Sequence, residues 1–552
     1  MSITVKQFSS LNKIITIDDI NASETNSAIA LRGEHISYQI AIKTDEQNIY
    51  LKPILEASVD SSLAEYIKIY SVKHIAADLP HPLMCDTTDY ITDKPMLIPD
   101  LLVPLEKQNN YFNFVNNFAV LWVEVSIPRE HKCGKEKITI NITGHKNRNT
   151  AVDFEHSAEF ILDILPSVLP YQKTAYTQWM HIDCIATVHN VEIYSPAHWG
   201  LIDKYMAMAS DLGINMILTP VVTPPLDTAP GTRRPCTQLV DIEKTGESYT
   251  FDFSKLRKYI NMAKKNKMKY FEISHFFSQW GCEFPANIKG VENGEEKWIF
   301  GWDAPVRESS YGMFLKAFIP ELIDVLSDEG IVDNCFFHIS DEPDEEHLES
   351  YEYARNLLKP LIGKSKTIDA LSNINFYEKG LVETPVCANN HIEPFLERKV
   401  KNLWTYYCCG QTDLVSNRFM AMPSYRNRII GLQIYKYGIE GFLQWGFNFY
   451  YSQFSLYTIN PYVTTSTDGV FSSGDPFSVY PGDDGPMPSL RALVFREALE
   501  DIEVCRLLEE KIGKEAVVKL IEEEAGMEIT FKEYPLNIEF IPRLMTKMKK
   551  ML

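Results

Sequence analysis

The 552-residue sequence predicts a multidomain chain of class β plus α/β. An N-terminal antiparallel β-sandwich is expected over residues 1–168. A (β/α)8 barrel of the TIM type is expected over 169–552, ending in a helical extension. Three observations predict this. Up to about Leu165 the chain consists of short runs rich in Val, Ile and aromatic residues, with no long helical period between them. Pro166-Ser167-Val168-Leu169-Pro170 then reads as a stiff linker, because the residue before each proline is disfavoured in a helix. Beyond it, strand-like runs alternate about eight times with amphipathic helical ones.

The sandwich strands are read over 28–32, 36–42, 67–72, 118–125, 137–142 and 159–165. Within 35–42 apolar and polar residues partly alternate, as on a half-buried sheet, and turn residues separate the runs. The barrel strands are read over 179–183, 215–220, 269–275, 334–340, 367–371, 385–388, 402–407 and 441–445. The clearest helices between them are 198–212, 254–266, 311–329, 345–359 and 425–437. The segment 489–511, apolar at Leu493, Ala498, Ile502 and Leu507, supplies the eighth, and 515–552 continues in largely helical pattern. An open doubly wound sheet is disfavoured, because no Gly-rich turn opens a helix after the first strand.

Composition excludes several classes. Hydrophobic residues make up 45% and charged residues 23%, enough apolar chain for large cores, so whole-chain disorder is excluded. The 54 Lys and Arg stand against 74 Asp and Glu, a balance of −20 that opposes a phosphate backbone. No nucleic-acid partner is expected. No membrane partner is expected either, since no stretch approaches the roughly 18 apolar residues of a span. The start MSITVKQFSSLNKIITIDDI lacks a basic n-region, an apolar run and a cleavage site, so no signal peptide is expected. Ten cysteines occur without a Cys-x-x-Cys pair, and the only close pair is Cys408–Cys409. That pattern predicts reduced thiols, a cytoplasmic setting and no zinc site.

A barrel of this kind builds its site at the C-terminal ends of its strands. Those ends are rich here. Strand one ends in His181 and Asp183, and strand three in His275, followed by Gln279 and Trp280. Strand four ends in His338-Ile339-Ser340-Asp341-Glu342-Pro343. Asp369 and Asn373 follow on strand five, Asn389 and Asn390 on strand six. Trp404, Tyr406 and Tyr407 lie on strand seven, and Gln444, Trp445 and Asn448 on strand eight.

Phe337 and Ile339 should face the helices, which turns His338, Ser340 and Glu342 inward. Pro343 cannot continue a central strand, so the chain turns there and both Asp341 and Glu342 reach one pocket. Two close carboxylates repel, which raises one pKa and keeps a proton available for general acid catalysis. A helix N-terminus, the alternative setting for neighbouring acids, accounts for Asp344, Glu345 and Glu346. It accounts less well for a pair at the end of a buried strand beside His338. His181, His275 and His338 could converge on a metal, but buried, hydrogen-bonded histidines are the commoner case, so no metal and no cofactor are expected. The Gly-rich stretch 469–485 lacks the Lys-Ser/Thr of a P-loop and reads as a long active-site loop.

Aromatic residues at strand ends suit a sugar, whose apolar face stacks on rings while polar groups take its hydroxyls. Trp280, Trp302, Tyr406, Tyr407 and Trp445 are the candidates, although each singly is more often core.

An ordered series of segments resembles glycoside hydrolase family 123 over nearly the whole chain. The most specific is His338-Ile339-Ser340-Asp341-Glu342-Pro343. It is preceded by Arg32-Gly33-Glu34, Phe271-Glu272-Ile273-Ser274-His275, Gln279-Trp280-Gly281 and Phe300-Gly301-Trp302. It is followed by Asp369-Ala370-Leu371-Ser372, Trp404-Thr405-Tyr406-Tyr407 and Tyr480-Pro481-Gly482. The resemblance implies a retaining exo-β-N-acetylgalactosaminidase that uses the substrate's 2-acetamido oxygen as nucleophile and passes through an oxazolinium ion. It implies that Asp341 orients the acetamido nitrogen and that Glu342 is the acid and base. It implies further that Tyr406 or Tyr407 bonds the acetamido carbonyl, with Tyr406 favoured because it shares parity with Trp404, and that Trp445 stacks on the ring. His181, Asp183, His275 and Trp280 would read hydroxyls or serve structure. The expected partner is a glycan with a terminal N-acetylhexosamine. A glycosidase for another sugar and a non-catalytic sugar-binding protein are the alternatives.

Overall fold

The computed structural model describes residues 2–82, 85, 89–145 and 152–552. The N-terminal part holds two five-stranded sheets. One runs in the order Ile3–Ser9, His35–Thr44, Phe118–Ser126, Ile67–Ala77, Met96–Pro104, with every neighbouring pair antiparallel. The other runs Ser27–Arg32, Val152–Val168, Gly134–His145, Ile54–Asp60, Tyr111–Phe112. Its Ser27–Arg32 edge pairs parallel with Val152–Val168, so the expected purely antiparallel sandwich is corrected at that edge. Gly33, at φ +82, lets the chain turn at once from this edge into the opposite sheet, which leaves the edge strand to the last strand of the sandwich.

Alternate residues meet between the sheets. Ile40, Leu121 and Val123 from one face Ile140, Phe160 and Leu162 from the other, and the rings of Tyr38 and Phe160 stack at 4.0 Å. The other face of the first sheet is not solvated. Tyr70, Val72, Leu102, Val120 and Trp122 pack into the same core as the barrel's helices. Burial on both faces explains why Phe118–Ser126 reads as one apolar run rather than an alternation. The proline-flanked segment read as a linker is partly strand: Val168 still pairs with Arg32, and the barrel begins at Ala175.

The barrel is closed by eight parallel strands: β1 (Ala175–Gln178), β2 (Met216–Thr219), β3 (Tyr270–Ile273), β4 (Cys335–Phe337), β5 (Lys366–Leu371), β6 (Thr384–Ala388), β7 (Trp404–Tyr406) and β8 (Gly441–Gln444). Pairing of β1 with β8 closes it. Helices lie in the connections, long at Pro196–Asp211, Ser254–Lys265 and Tyr311–Asp328, and reduced to Asn375–Glu378 after β5 and Glu393–Glu397 after β6. Alternation sorts the strand residues. Met216, Phe336, Ile368, Val386 and Trp404 fill the interior, while Ile217, Phe337, Cys387, Tyr407 and Phe442 face the helices. Gly441 is required beside Trp404, because a Cβ there would lie 2.1 Å from the indole.

The first barrel strand lies earlier than expected. Residues Ala175–Gln178 form β1, and Ile182–Val188 is a helix, so His181 and Asp183 sit past the strand end. The polar Thr177 and Gln178 hid β1 from a reading based on apolar runs, yet both face buried polar partners. The sandwich also braces the long segment after β8. The Asp78 carboxylate accepts from Thr465 N at 2.9 Å, Ser466 Oγ at 2.5 Å and Ser473 Oγ at 3.2 Å. Asp100 accepts from Arg491 Nε at 2.8 Å and Tyr480 at 2.6 Å. No helix among the described residues is long and apolar enough to cross a membrane.

Candidate active site

A cavity of about 400 Å³ opens at the C-terminal mouth of the barrel. Its floor and walls come from strand ends and the segments that follow them: Trp179 after β1, Gln279 and Trp280 after β3, Asp341 and Glu342 after β4, Tyr406 from β7 and Trp445 after β8. Leu226 and Asp227 after β2, and Phe454 and Phe471 after β8, complete the wall. Several of these residues hold left-handed backbone conformations: Asp227 at φ +41, Trp280 at +56, Glu342 at +45 and Phe454 at +59. Such conformations cost about 1–3 kcal/mol each without glycine and persist only where surrounding contacts enforce them. At Glu342 those contacts are the following Pro343 and a hydrogen bond from its N–H to Ala370 O at 3.2 Å.

The carboxyls of Asp341 and Glu342 each receive one well-placed donor. Gln279 Nε2 donates to Asp341 Oδ2 at 2.7 Å, and the Tyr406 hydroxyl donates to Glu342 Oε1 at 2.6 Å. Cys408 Sγ lies 4.0 Å from the same Glu342 oxygen. Burial, then the charge of Glu342, pushes Asp341 well above the usual carboxylate range. Burial also raises Glu342, against the hydrogen bond from Tyr406. Burial and mutual repulsion therefore both favour a proton shared by the pair, and the two titrations are linked.

A second polar layer lies directly beneath. Glu272 of β3 accepts from Thr177 Oγ1 at 2.7 Å, Trp179 Nε1 at 2.6 Å and His338 Nε2 at 2.6 Å. His338 Nδ1 reaches Asp369 Oδ1 at 3.0 Å, and Asp369 also accepts from Ile339 N at 3.1 Å and from the Tyr351 hydroxyl. Burial alone would lower the His338 pKa, but hydrogen bonds and charge from Asp369 and Glu272 hold it up at about 9. Its ring is an imidazolium that donates from both nitrogens. His275 stacks on that ring at 4.0 Å, and burial keeps it neutral. His275, His338 and Asp369 bring ligand-type atoms within 4.8 Å of one another. Because His338 spends both nitrogens on carboxylates, the cluster offers a cation two ligands at most.

The structure divides the expected site residues. Asp341, Glu342, Trp280, Tyr406 and Trp445 line the cavity. His338 and His275 belong to the layer below. His181 and Asp183 lie behind the wall on Arg234, whose guanidinium donates to Asp183 at 2.7 and 2.9 Å and to His181 Nδ1 at 3.0 Å. His181 Nε2 in turn donates to Trp445 O at 2.9 Å, and Asn448 clamps the His181 backbone, so these residues hold Trp445 from outside the cavity. Trp302 is outside as well, with its indole donating to Thr232 O at 2.6 Å. Tyr407 is excluded by alternation: it points away from Tyr406 into the helix layer and packs on Phe442 at 4.8 Å. Tyr406, expected to reach an acetamido carbonyl, lines the cavity and donates to Glu342.

Sequence reasoning did not assign Trp179, Asp227, Cys408, Cys409 or Phe454 to the site. Trp179 reads in the sequence as the start of a strand, whereas it lies just past the end of β1. Asp227 and Phe454 sit on segments without strand or helix signal. Phe471 and Asp475 fall inside the Gly-rich loop. Asp475 accepts from Trp445 Nε1 at 3.0 Å, and burial pushes its carboxyl up to about 7.

The chain matches the model of the glycoside hydrolase 123 catalytic domain over residues 179–508. Among solved structures it is similar to a family 123 glycoside hydrolase from Clostridium perfringens, studied for glycolipid glycan hydrolysis. That match has 15% identity, 100% of this chain and 97% of the other covered, and a TM-score of 0.74. A family 5 mannosidase from Rhizomucor miehei matches at 12% identity over 63% of this chain and 95% of the other, with a TM-score of 0.33. No curated protein matches the sequence. The matched segment takes in more than half of the chain, from the end of β1 past β8, and within it the acid pair at the barrel mouth. The chain belongs to glycoside hydrolase family 123.

Proposed function

We propose that this glycoside hydrolase is a retaining exo-β-N-acetylgalactosaminidase that uses its substrate's 2-acetamido group as the nucleophile. The observation that carries the reading is the adjacent pair of buried carboxyls, both raised in pKa and both facing one cavity. Hydrolysis needs a proton for the departing oxygen and a group to support positive charge near the anomeric carbon. A substrate N–H on Asp341 favours its ionised form and leaves the pair's proton on Glu342, which delivers it as the glycosidic bond breaks and the acetamido oxygen bonds the anomeric carbon. Asp341, oriented by Gln279, takes the acetamido N–H and balances the oxazolinium charge. Glu342, now a carboxylate, removes a proton from the water that reopens the ring. Such substrate assistance stands apart from the two-carboxylate scheme in which the enzyme supplies the nucleophile. Trp179, Trp280 and Trp445 offer ring faces for the sugar. A terminal N-acetylhexosamine of a glycan, including one carried on a lipid, is the substrate class.

The test is release of the aryl alcohol from three aryl β-glycosides: the N-acetylgalactosaminide, its gluco epimer and the plain galactoside. Cleavage of the first above the second, with the third inert, is the expected result. An inert acetamido substrate beside a cleaved galactoside would overturn the mechanism in favour of a different sugar at the same pocket.

A further inference from the structure

A third acid faces the cavity, and neither the acid–base pair nor the layer beneath it uses this residue. Asp227 sits after β2 and is 7% exposed. Its backbone is fixed on three sides: its N–H donates to Gln279 Oε1 at 2.7 Å, its carbonyl accepts from Ser455 Oγ at 2.7 Å, and its φ is +41. An ionised carboxylate has about four acceptor positions. Among the described residues one donor reaches that of Asp227, Phe454 N at 2.9 Å. Asp183, by contrast, takes two guanidinium bonds, and Asp369 takes His338, Ile339 N and Tyr351. Burial pushes the Asp227 carboxyl up to about 6, as expected of an acid held from water with little compensation inside the protein.

Gln279 links this acid to the pair. One end of its amide accepts from Asp227 N and the other donates to Asp341 Oδ2 at 2.7 Å, so Glu342, Asp341, Gln279 and Asp227 follow one another around the wall. On the reading above, Glu342 serves the oxygen at C1 and Asp341 the nitrogen at C2. The next positions around a pyranose are the hydroxyls at C3 and C4. Trp280 and Phe454, in edge contact at 5.9 Å, flank this edge with apolar surface.

We propose that Asp227 accepts hydrogen bonds from the hydroxyls on the C3–C4 edge of the sugar and so selects which sugar the cavity takes. This rests on the proposed placement of C1 and C2 at Glu342 and Asp341. A buried hydrogen bond to a charged acceptor is worth about 10- to 100-fold in kcat/KM.

The experiment measures kcat/KM for aryl 2-acetamido glycosides that are intact, 3-deoxy, 4-deoxy or 6-deoxy, with the wild type, Asp227→Ala and Asp227→Asn. In the wild type, removal of the 3- or the 4-hydroxyl should cost about 10- to 100-fold. Asp227→Ala should lose a similar factor on the intact substrate and under about 2-fold more when the same hydroxyl is removed. The 6-deoxy substrate should lose equally in both proteins. Asp227→Asn keeps an oxygen for Phe454 N–H, so the same non-additivity should appear there with a smaller first loss even if the alanine variant folds poorly. Multiplicative losses at both positions would overturn the proposal. If the acetamido substrates are inert and a plain glycoside is cleaved, the C2 reading fails separately, and the deoxy series on that glycoside still decides Asp227.

Discussion

Two layers of acids lie one above the other in the same barrel, and the protein treats them in opposite ways. In the lower layer Glu272 and Asp369 are fully buried and meet His338, Trp179, Thr177, Tyr351 and a backbone N–H. In the upper layer Asp341 is buried and Glu342 half-buried, and each receives one protein donor at a normal hydrogen-bond length. The residue types are the same. The number of partners separates structure from chemistry. A carboxylate surrounded by donors is spent on holding the barrel, while one short of donors keeps acceptor positions open for something that enters.

The comparison breaks first at Glu342. Replacement by Gln should lower kcat by about 10²–10⁴-fold on substrates with poor leaving groups, and far less where the leaving group needs no proton. The unfolding midpoint should hold or rise, because a buried acid short of partners is removed. A fall in stability without loss of rate would assign Glu342 to the lower layer instead.

Glu272→Ala should do the reverse. It leaves the His338 imidazolium with one carboxylate and strips Trp179 Nε1 of its acceptor, a change that costs about 3–5 kcal/mol of stability. Denaturant unfolding followed by tryptophan fluorescence would show it. Rate should then follow the fraction of folded protein.

The pH dependence of stability sharpens the contrast further. His338 is raised from 6.5 to about 9 in the folded protein, so its contribution is fully present below about 6.5 and is lost as pH rises through about 9. His338→Gln should flatten the slope of the unfolding midpoint between those limits. The raised acids act in a lower window: the folded state holds their proton after the unfolded chain has released it, so stability falls as pH rises above the ordinary carboxylate range. Asp341→Asn should reduce that fall, leaving the parts that belong to Glu342, Asp227 and Asp475, and should leave the slope belonging to His338. An unchanged slope in both variants would remove the distinction between the layers. The smallest expected effect is at Asp475, which touches the cavity only through Trp445. Asp475→Asn should raise KM by about 2- to 10-fold with kcat little changed.

Much of the barrel was legible because each strand repeats a local signal. The run through Phe337, His338 and Ile339 alternates, and that alternation places His338 inward with the acids beyond it. The same parity separates Tyr406 from Tyr407. Legibility failed where polar residues face a buried polar interior. Thr177 and Gln178 look unlike core strand, so apolar runs alone start β1 too late and leave Trp179 without a sign that it walls a pocket. His181, Asp183, Asn448 and Trp302 were correctly polar or aromatic and near strand ends, but their partners are protein groups rather than the cavity.

By itself the sequence determined the order of elements, the two-part division and the adjacent acids of strand four, since each is written within a few consecutive residues. Tertiary structure alone decided which polar groups are satisfied. Asp227, Gln279 and Asp341 come from segments after three different strands, and Trp445 is held by Asp475 and His181 from two others. Whether a carboxylate finds one donor or three depends on groups tens to hundreds of residues away, and hydrogen bonds of under 3 Å are set by packing that no local pattern records.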